Sequence, residues 1–337
     1  MKLDDFRVGD LLLFADKGRK EAVAILQGVE RTFTLGINTW RGSIYTHHAA
    51  VVVGSGETPR IAHSAGGGAR LVSLASQFGR GMPYGKVIAY RLKGENDREA
   101  YGPAAAEVAR TWASTKQISY GKAHKPGLGS SGFGRNAKKR AQALSNQFET
   151  AFSNSRDKWV ECGETHKTIL MRINNDMSCP LRKKFFSMWL ELTTLLQKCP
   201  TVGSNPRLMA SSYLQYQKVL DEHDALALKH HKAMIHTIAR GTQTTFAGMN
   251  VGNWGDVPKM TELQRSLKTI RNSQVWSPQN ATKMFCSYFA VAAYQAVLGT
   301  DVKRLLALDA PKTSPMRLES YLKKRSDTWT MVGDYKP

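Results

Sequence analysis

Acidic residues are scarce in this chain: 27 Asp and Glu face 48 Lys and Arg over 337 residues, a net charge of +21. Cysteine is scarcer still, with four residues (Cys162, Cys179, Cys199 and Cys286), none in a CxxC pair or at metal-ligand spacing. That excludes a disulfide framework and a zinc site, so no metal or other cofactor is expected, and any cysteine that matters acts as a free thiol. No run reaches the roughly 18 apolar residues of a membrane span, which predicts no transmembrane segment. The opening stretch, MKLDDFRVGD, has two early acids and no apolar core of a signal peptide. The expectation is synthesis in the cytoplasm without a cleavable signal. Zinc-finger and aromatic RNP motifs are missing too, which argues against sequence-specific nucleic-acid binding. The glycines of GKAHKPGLGSSGFGR (121–135) form no phosphate loop, because no GK[ST] follows at the needed spacing.

What is present is ordinary core-forming material and an extraordinary charge. Hydrophobic residues make up 42% of the chain, enough for a packed interior. The positive excess is +5 over residues 1–120, +10 over 121–240 and +6 over 241–337, so it forms no basic tail. Such a surface attracts polyanions: nucleic acid, anionic membrane or an acidic cell-wall polymer.

The first 95 residues read as strands and turns. VGDLLLF (8–14), HHAAVVVG (47–54), RIAHSA (60–65) and GKVIAYRL (85–92) are short apolar runs bounded by Gly, Pro and Asp. EAVAILQGV (21–29) suits a short helix, and REAYGPAAAEVARTWAST (98–115) another, with Gly102-Pro103 delaying its start. Residues 121–135 read as a flexible connector. LRKKFFSMWLELTTLLQK (181–198) and the stretch 207–240 repeat apolar residues at three- and four-residue intervals, the period of amphipathic helices. NVGNWGDVP then breaks the pattern before an apolar helix at 283–299 that opens on Cys286, and a short helix closes the chain. The layout is α+β at the front, mainly helical for about 150 residues, and closed by the cysteine helix.

Thiol chemistry needs a thiolate, an imidazole to move its proton and a group to orient that imidazole. Cys286 stands where a helix N-terminus would favour negative charge. His47, His48 and His63 lie within 17 residues on two adjacent predicted strands. With Val53 opposite Arg60, Ala50 faces His63, and His48 is its same-face diagonal neighbour while His47 points to the other face. A one-residue slip reverses that choice, so alternation alone leaves both His47 and His48 as candidate bases. His223, His230, His231 and His236 share one helix at no metal-binding spacing and read as a polar face. His124 falls in the connector, and His166, four residues from Cys162, makes the one competing local Cys/His pair.

GDLLLF, THHAAVVVG, RIAHSAGGGARLVSL, ISYGKA and MFCSYFAVAAYQAV, taken in that order, resemble the circularly permuted NlpC-like papain-fold proteins. That group includes YiiX-type hydrolases and relatives of lecithin:retinol acyltransferase. The resemblance covers roughly residues 8–122 and 276–330. It implies an α+β fold in which a small antiparallel sheet packs on the cysteine helix and the histidine strand precedes it. Residues 1–122 and 276–337 would form the papain-like domain and 123–275 a linker and helical insertion. It also implies Cys286 as nucleophile, His48 as base, His63 as orienting group and Tyr120 as a cleft-lining residue. His47 stands where the family usually has Ser or Thr and is the alternative base. The insertion has no counterpart in the family pattern.

The activity implied is cysteine-dependent cleavage of amide bonds, with peptidoglycan as the anionic substrate that suits the charge. By analogy with bacterial effector toxins, a contact-dependent secretion machine would deliver the protein, and an immunity or inhibitor protein would be a further partner. Two other functions fit the same residues. One is an acyltransferase or lipid hydrolase at an anionic membrane, with KKFFSMWLELTTLL (183–196) as an interfacial helix. The other is a polyanion- or partner-binding module with an inert thiol.

Overall fold

The computed structural model describes residues 1–16, 46–78, 84–114, 118–120, 135–174, 180–241 and 283–336. The predicted helix at 21–29, the connector from 121 to 134, Cys179 and NVGNWGDVP lie outside them. The chain divides into two compact units: Met1–Thr150 with Gly203–Ser211 and Ser277–Pro337, and Ala151–Val202 with Ser212–Trp276. Residues 135–150 and 203–211, assigned to the insertion from sequence, thus group with the first unit.

The first unit is built on an antiparallel sheet of β1 (Leu11–Asp16), β2 (Thr46–Gly54), β3 (Arg60–Ala65), β4 (Gly68–Ser73), β5 (Tyr84–Leu92) and β8 (Trp329–Tyr335) in the order β4-β3-β2-β1-β5-β8. Leu11 to Phe14 are all fully buried, which explains why this central strand shows no polar alternation. Leu12 and Phe14 join Phe6, Ala50, Val52, Ile61, Leu74, Val87 and Ala89 in one apolar cluster. Two helices, α1 (Glu95–Ser114) and α5 (Cys286–Val297), pack on each other and on β2 and β3. Every residue of α5 is buried, as an apolar helix without a polar face must be. The short α6 (Val302–Leu305) and then α7 (Pro315–Lys324) follow, and β8 closes the sheet against β5. Neither β4 nor β8 stands out in the sequence, because these edge strands are only partly buried and carry no apolar run.

One expectation is corrected. α1 begins at Glu95 and runs straight through Gly102-Pro103. Gly102 abuts the turn at Gly9, where φ is +88° and an added Cβ would meet the Gly102 backbone at 2.4 Å. Packing of the bare backbones outweighs the single bond lost at the Pro103 nitrogen.

The second unit is helical. It contains the later part of α2 (Arg135–Asn174), all of α3 (Pro180–Gln197) and the later part of α4 (Pro206–Gly241). Phe152 packs on Tyr213 and Tyr216 with ring centroids 5.5 and 5.4 Å apart, and Ser155 shares a hydrogen bond with Tyr216. An added Cβ on Gly163 would lie 3.3 Å from Leu196, so α2 and α3 approach closely there. His223 is buried against Trp159, a correction to its reading as part of a polar face. Among the described residues no helix is long and apolar enough to cross a membrane.

Candidate active site

The site forms where β2 and β3 part. Val52 N–H donates to the Asp10 carbonyl, so Val52, Ala50 and His48 aim their backbone polar groups at β1. The His47 carbonyl and the Ala49 N–H therefore point the other way, towards β3. The β2–β3 ladder pairs Val52 with Ile61 and Val51 with Ala62 and goes no further along β2. Those two groups, which flank His48, open onto a fork between the strands.

Cys286 fills that fork. Its thiol donates to the His47 carbonyl at 3.7 Å, and the Ala49 N–H faces the sulfur. On the far side, Ser64 Oγ donates to the Met284 carbonyl at 2.6 Å. Met284 belongs to β7 (Lys283–Met284), which pairs in parallel with β6 (Ser119–Tyr120), while Ala69 N–H donates to Ile118 just before β6. This chain of backbone pairings brings Cys286 to a residue 239 positions away. Phe285 is the N-cap in extended conformation and supplies no side-chain cap, so the first N–H groups of α5 have no partner within the helix. The Ser287 and Cys286 N–H groups also act on the thiol. Burial outweighs them: Cys286 is 4% exposed and its thiol is pushed up to about 11.

His48 and His63 are joined ring to ring, Nε2 to Nδ1 at 2.6 Å, with the rings nearly perpendicular. The observed pairing of Val51 with Ala62 is in the register assumed from the sequence, but the ladder ends there, before Ala50 and His63, and a shift at Gly54 opposite Arg60 interrupts it near the turn. Arg70, opposite His63 on β4, donates from Nε to His63 Nε2 at 3.2 Å. Tyr84 stacks on His48 at 5.6 Å and Phe14 covers it. Burial, then the charges of His63 and Arg70, drive His48 well below its ordinary value of 6.5, and burial and Arg70 bring His63 to about 4. Both rings are neutral at pH 7. Nε2 of His48 is committed to His63, so Nδ1 is the nitrogen left for the thiol; no hydrogen bond joins the two among the described residues.

His47 is the extra residue of a β-bulge, since Phe14 pairs with His48 and Ala15 with Thr46. Its carbonyl reaches the thiol, and its ring is buried. Beside it, Thr46 Oγ1 donates to Glu319 Oε2 at 2.5 Å, and Lys323 pairs with the same carboxylate. Tyr120 is 37% exposed, and burial and then Cys286 raise its hydroxyl.

Sequence reasoning missed Ala49, Ser64 and Arg70. Ser64 and Arg70 were within reach, because a tight turn after Ala65 sets Arg70 opposite His63 and turns Ser64 to the other face. Among the described residues no group of three or more His, Cys, Asp and Glu could hold a metal ion. Cys199 is buried in the second unit, its thiol pushed up to about 11 by burial. The side chains of Cys162, His166, His230, His231 and His236, and all of His124, lie outside the described residues. A cavity of about 450 Å³ lined by Asp4, Asp5, Arg7, Arg91 and Asp334 sits at the β5–β8 end of the sheet and, among the described residues, is lined by no cysteine or histidine. No family model, no curated protein and no solved structure matches this chain.

Proposed function

We propose that the chain is a cysteine hydrolase of the permuted papain type that cleaves amide bonds, with Cys286 as nucleophile, His48 as base and His63 as the group that orients it. One observation carries the reading: the thiol at the start of α5 lies against the two backbone groups that flank His48, whose ring is already bonded to His63. In the reaction the thiol proton passes to His48 Nδ1 as Sγ attacks the amide carbon. The imidazolium returns that proton to the departing amine, leaving an acyl-enzyme. His48 then takes a proton from water, the hydroxide attacks the acyl carbon, and the thiolate leaves and is reprotonated. The N–H groups of Cys286 and Ala49 are the donors nearest the developing oxyanion.

Peptidoglycan as the substrate rests on charge, since a +21 protein concentrates on an anionic wall. Digestion of purified sacculi tests it. New muropeptides should appear with the wild-type protein and vanish with Cys286→Ala and His48→Ala. Sacculi left intact by a protein whose Cys286 reacts with an alkylating probe would dismiss the substrate.

The low exposure and raised thiol of Cys286 favour a second reading, a polyanion- or partner-binding module with an inert cysteine. It predicts that Cys286→Ala leaves polyanion affinity and every phenotype unchanged.

A further inference from the structure

Arginine donates hydrogen bonds and accepts none, and that property decides where the protons sit on both histidines. Arg70 Nε donates to His63 Nε2, so this nitrogen carries a lone pair and neutral His63 holds its proton on Nδ1. That proton points at His48 Nε2, 2.6 Å away, which must then be the acceptor. Neutral His48 consequently carries its own proton on Nδ1. This is the nitrogen the base must keep empty, because its lone pair is the one available to the thiol. The competent arrangement has protons on Nε2 of both rings, and the one on His63 would collide with the N–H of Arg70.

We propose that Arg70 is a tautomer lock on the candidate active site, released when an oxyanion of the substrate, carboxylate or phosphate, draws its guanidinium away from His63. The proposal rests on the hydrolase reading above and adds a substrate class to it: acyl donors that carry a negative group near the scissile bond. Arg70 is exposed on β4, and among the described residues its terminal nitrogens make no hydrogen bond or ion pair. A single 3.2 Å bond to a neutral ring is a weak tether beside a two-pronged bond to an oxyanion. On release, water delivers a proton to His63 Nε2, the His63 Nδ1 proton moves to His48 Nε2, and the His48 Nδ1 proton leaves to water. Charge is conserved and the lone pair appears where the thiol needs it. A neutral amide would find the site locked, so Arg70 is a positioning residue that also selects for charge.

The test reads Cys286 alkylation by iodoacetamide at pH 7 and fixed ionic strength, with peptide mass spectrometry, alongside ¹⁵N shifts of the two imidazoles. Inorganic phosphate replaces chloride as the probe anion. The wild-type protein should show His63 protonated on Nδ1 and a rate that phosphate increases. Arg70→Ala should move that proton to Nε2, raise the rate by about 100-fold, the low end of a positioned base's contribution, and abolish the response to phosphate. Arg70→Lys, another pure donor, should keep the wild-type tautomer. An unchanged rate and tautomer in Arg70→Ala overturns the lock, and a wild-type rate indifferent to phosphate overturns its release by anions. If adding His48→Ala to Arg70→Ala leaves the rate as fast as in Arg70→Ala alone, the hydrolase reading is what fails, while the nitrogen shifts of the single variants still decide the lock.

Discussion

His63 couples the site to the stability of the fold. Its ring is 1% exposed and titrates at about 4, whereas an unfolded histidine titrates near 6.5. Folding therefore favours the neutral ring. The stability this confers is complete above pH 6.5 and is lost as pH falls from there to about 4, because the unfolded chain binds the proton first. The loss from His63 alone should reach about 3 kcal/mol, and burial of His48 acts in the same direction. Urea unfolding at pH 7.5 and 4.5 measures it. His63→Gln, which cannot titrate, should flatten the decline, and equal declines in the two proteins would sink the account. Cys286 obeys the same rule with the opposite shift: burial favours its neutral thiol and raises it, so the resting site holds an uncharged thiol and uncharged imidazoles. In the proposed reaction its proton would therefore move on attack rather than from a waiting ion pair.

At the scale of elements, the site depends on three short pairings that each contribute little alone. β6 and β7 are two residues long, and they hold Cys286 in place because Ile118 is anchored to β4 and Met284 to β3. Gly68 is the hinge of that arrangement. Its φ is +95°, and an added Cβ would lie 2.6 Å from the Ile118 carbonyl. Gly68→Ala should cost about 1–3 kcal/mol in strain and displace β6, slowing any Cys286-dependent reaction. Gly66→Ala, which meets no atom within 4 Å, serves as the control in denaturant melts. Indistinguishable midpoints for the two variants would remove Gly68 from the argument. Most of the strands were legible because their apolar runs end at Gly, Pro or Asp. The two-residue β6 and β7 were not, since so short a ladder exists only where its partners already stand. The bulge at His47 was equally hidden: an extra residue in a strand leaves no mark on composition.

At the largest scale, ionic contacts tie together stretches of the first unit that lie far apart in the chain. Asp97 on α1 accepts from Arg207, at the start of α4, and from Arg304 on α6, so one buried carboxylate joins three parts of the first unit. Burial alone would raise Asp97; hydrogen bonds from Arg304 and Arg207 outweigh it and hold the carboxyl below its usual range. Asp97→Asn removes the charge that both guanidinium groups share and, because both arginines are half exposed and stay solvated, should cost about 1 kcal/mol. Thermal melts would expose the loss, and an unshifted midpoint would mean that solvent replaces Asp97 freely. Sequence gave no hint of this tie, for its members lie 110 and 207 positions apart.

Sequence alone determined the large charge, the alternation of strands and helices, and the residue types from which a thiol site could be made. These follow from composition and from periodicities of two and 3.6 residues, which are local properties of the chain. The pairing of His48 with His63 was also within reach, because a hairpin register relates nearby residues. Only the tertiary structure decided that the Cys286 thiol meets β2 at the two backbone groups that flank His48, and that Arg70 donates to the ring His48 is bonded to. Those facts depend on where one strand stops pairing with the next and on which donors face a shared nitrogen. Local sequence encodes neither, since both arise when segments far apart in the chain compete for the same backbone and ring atoms.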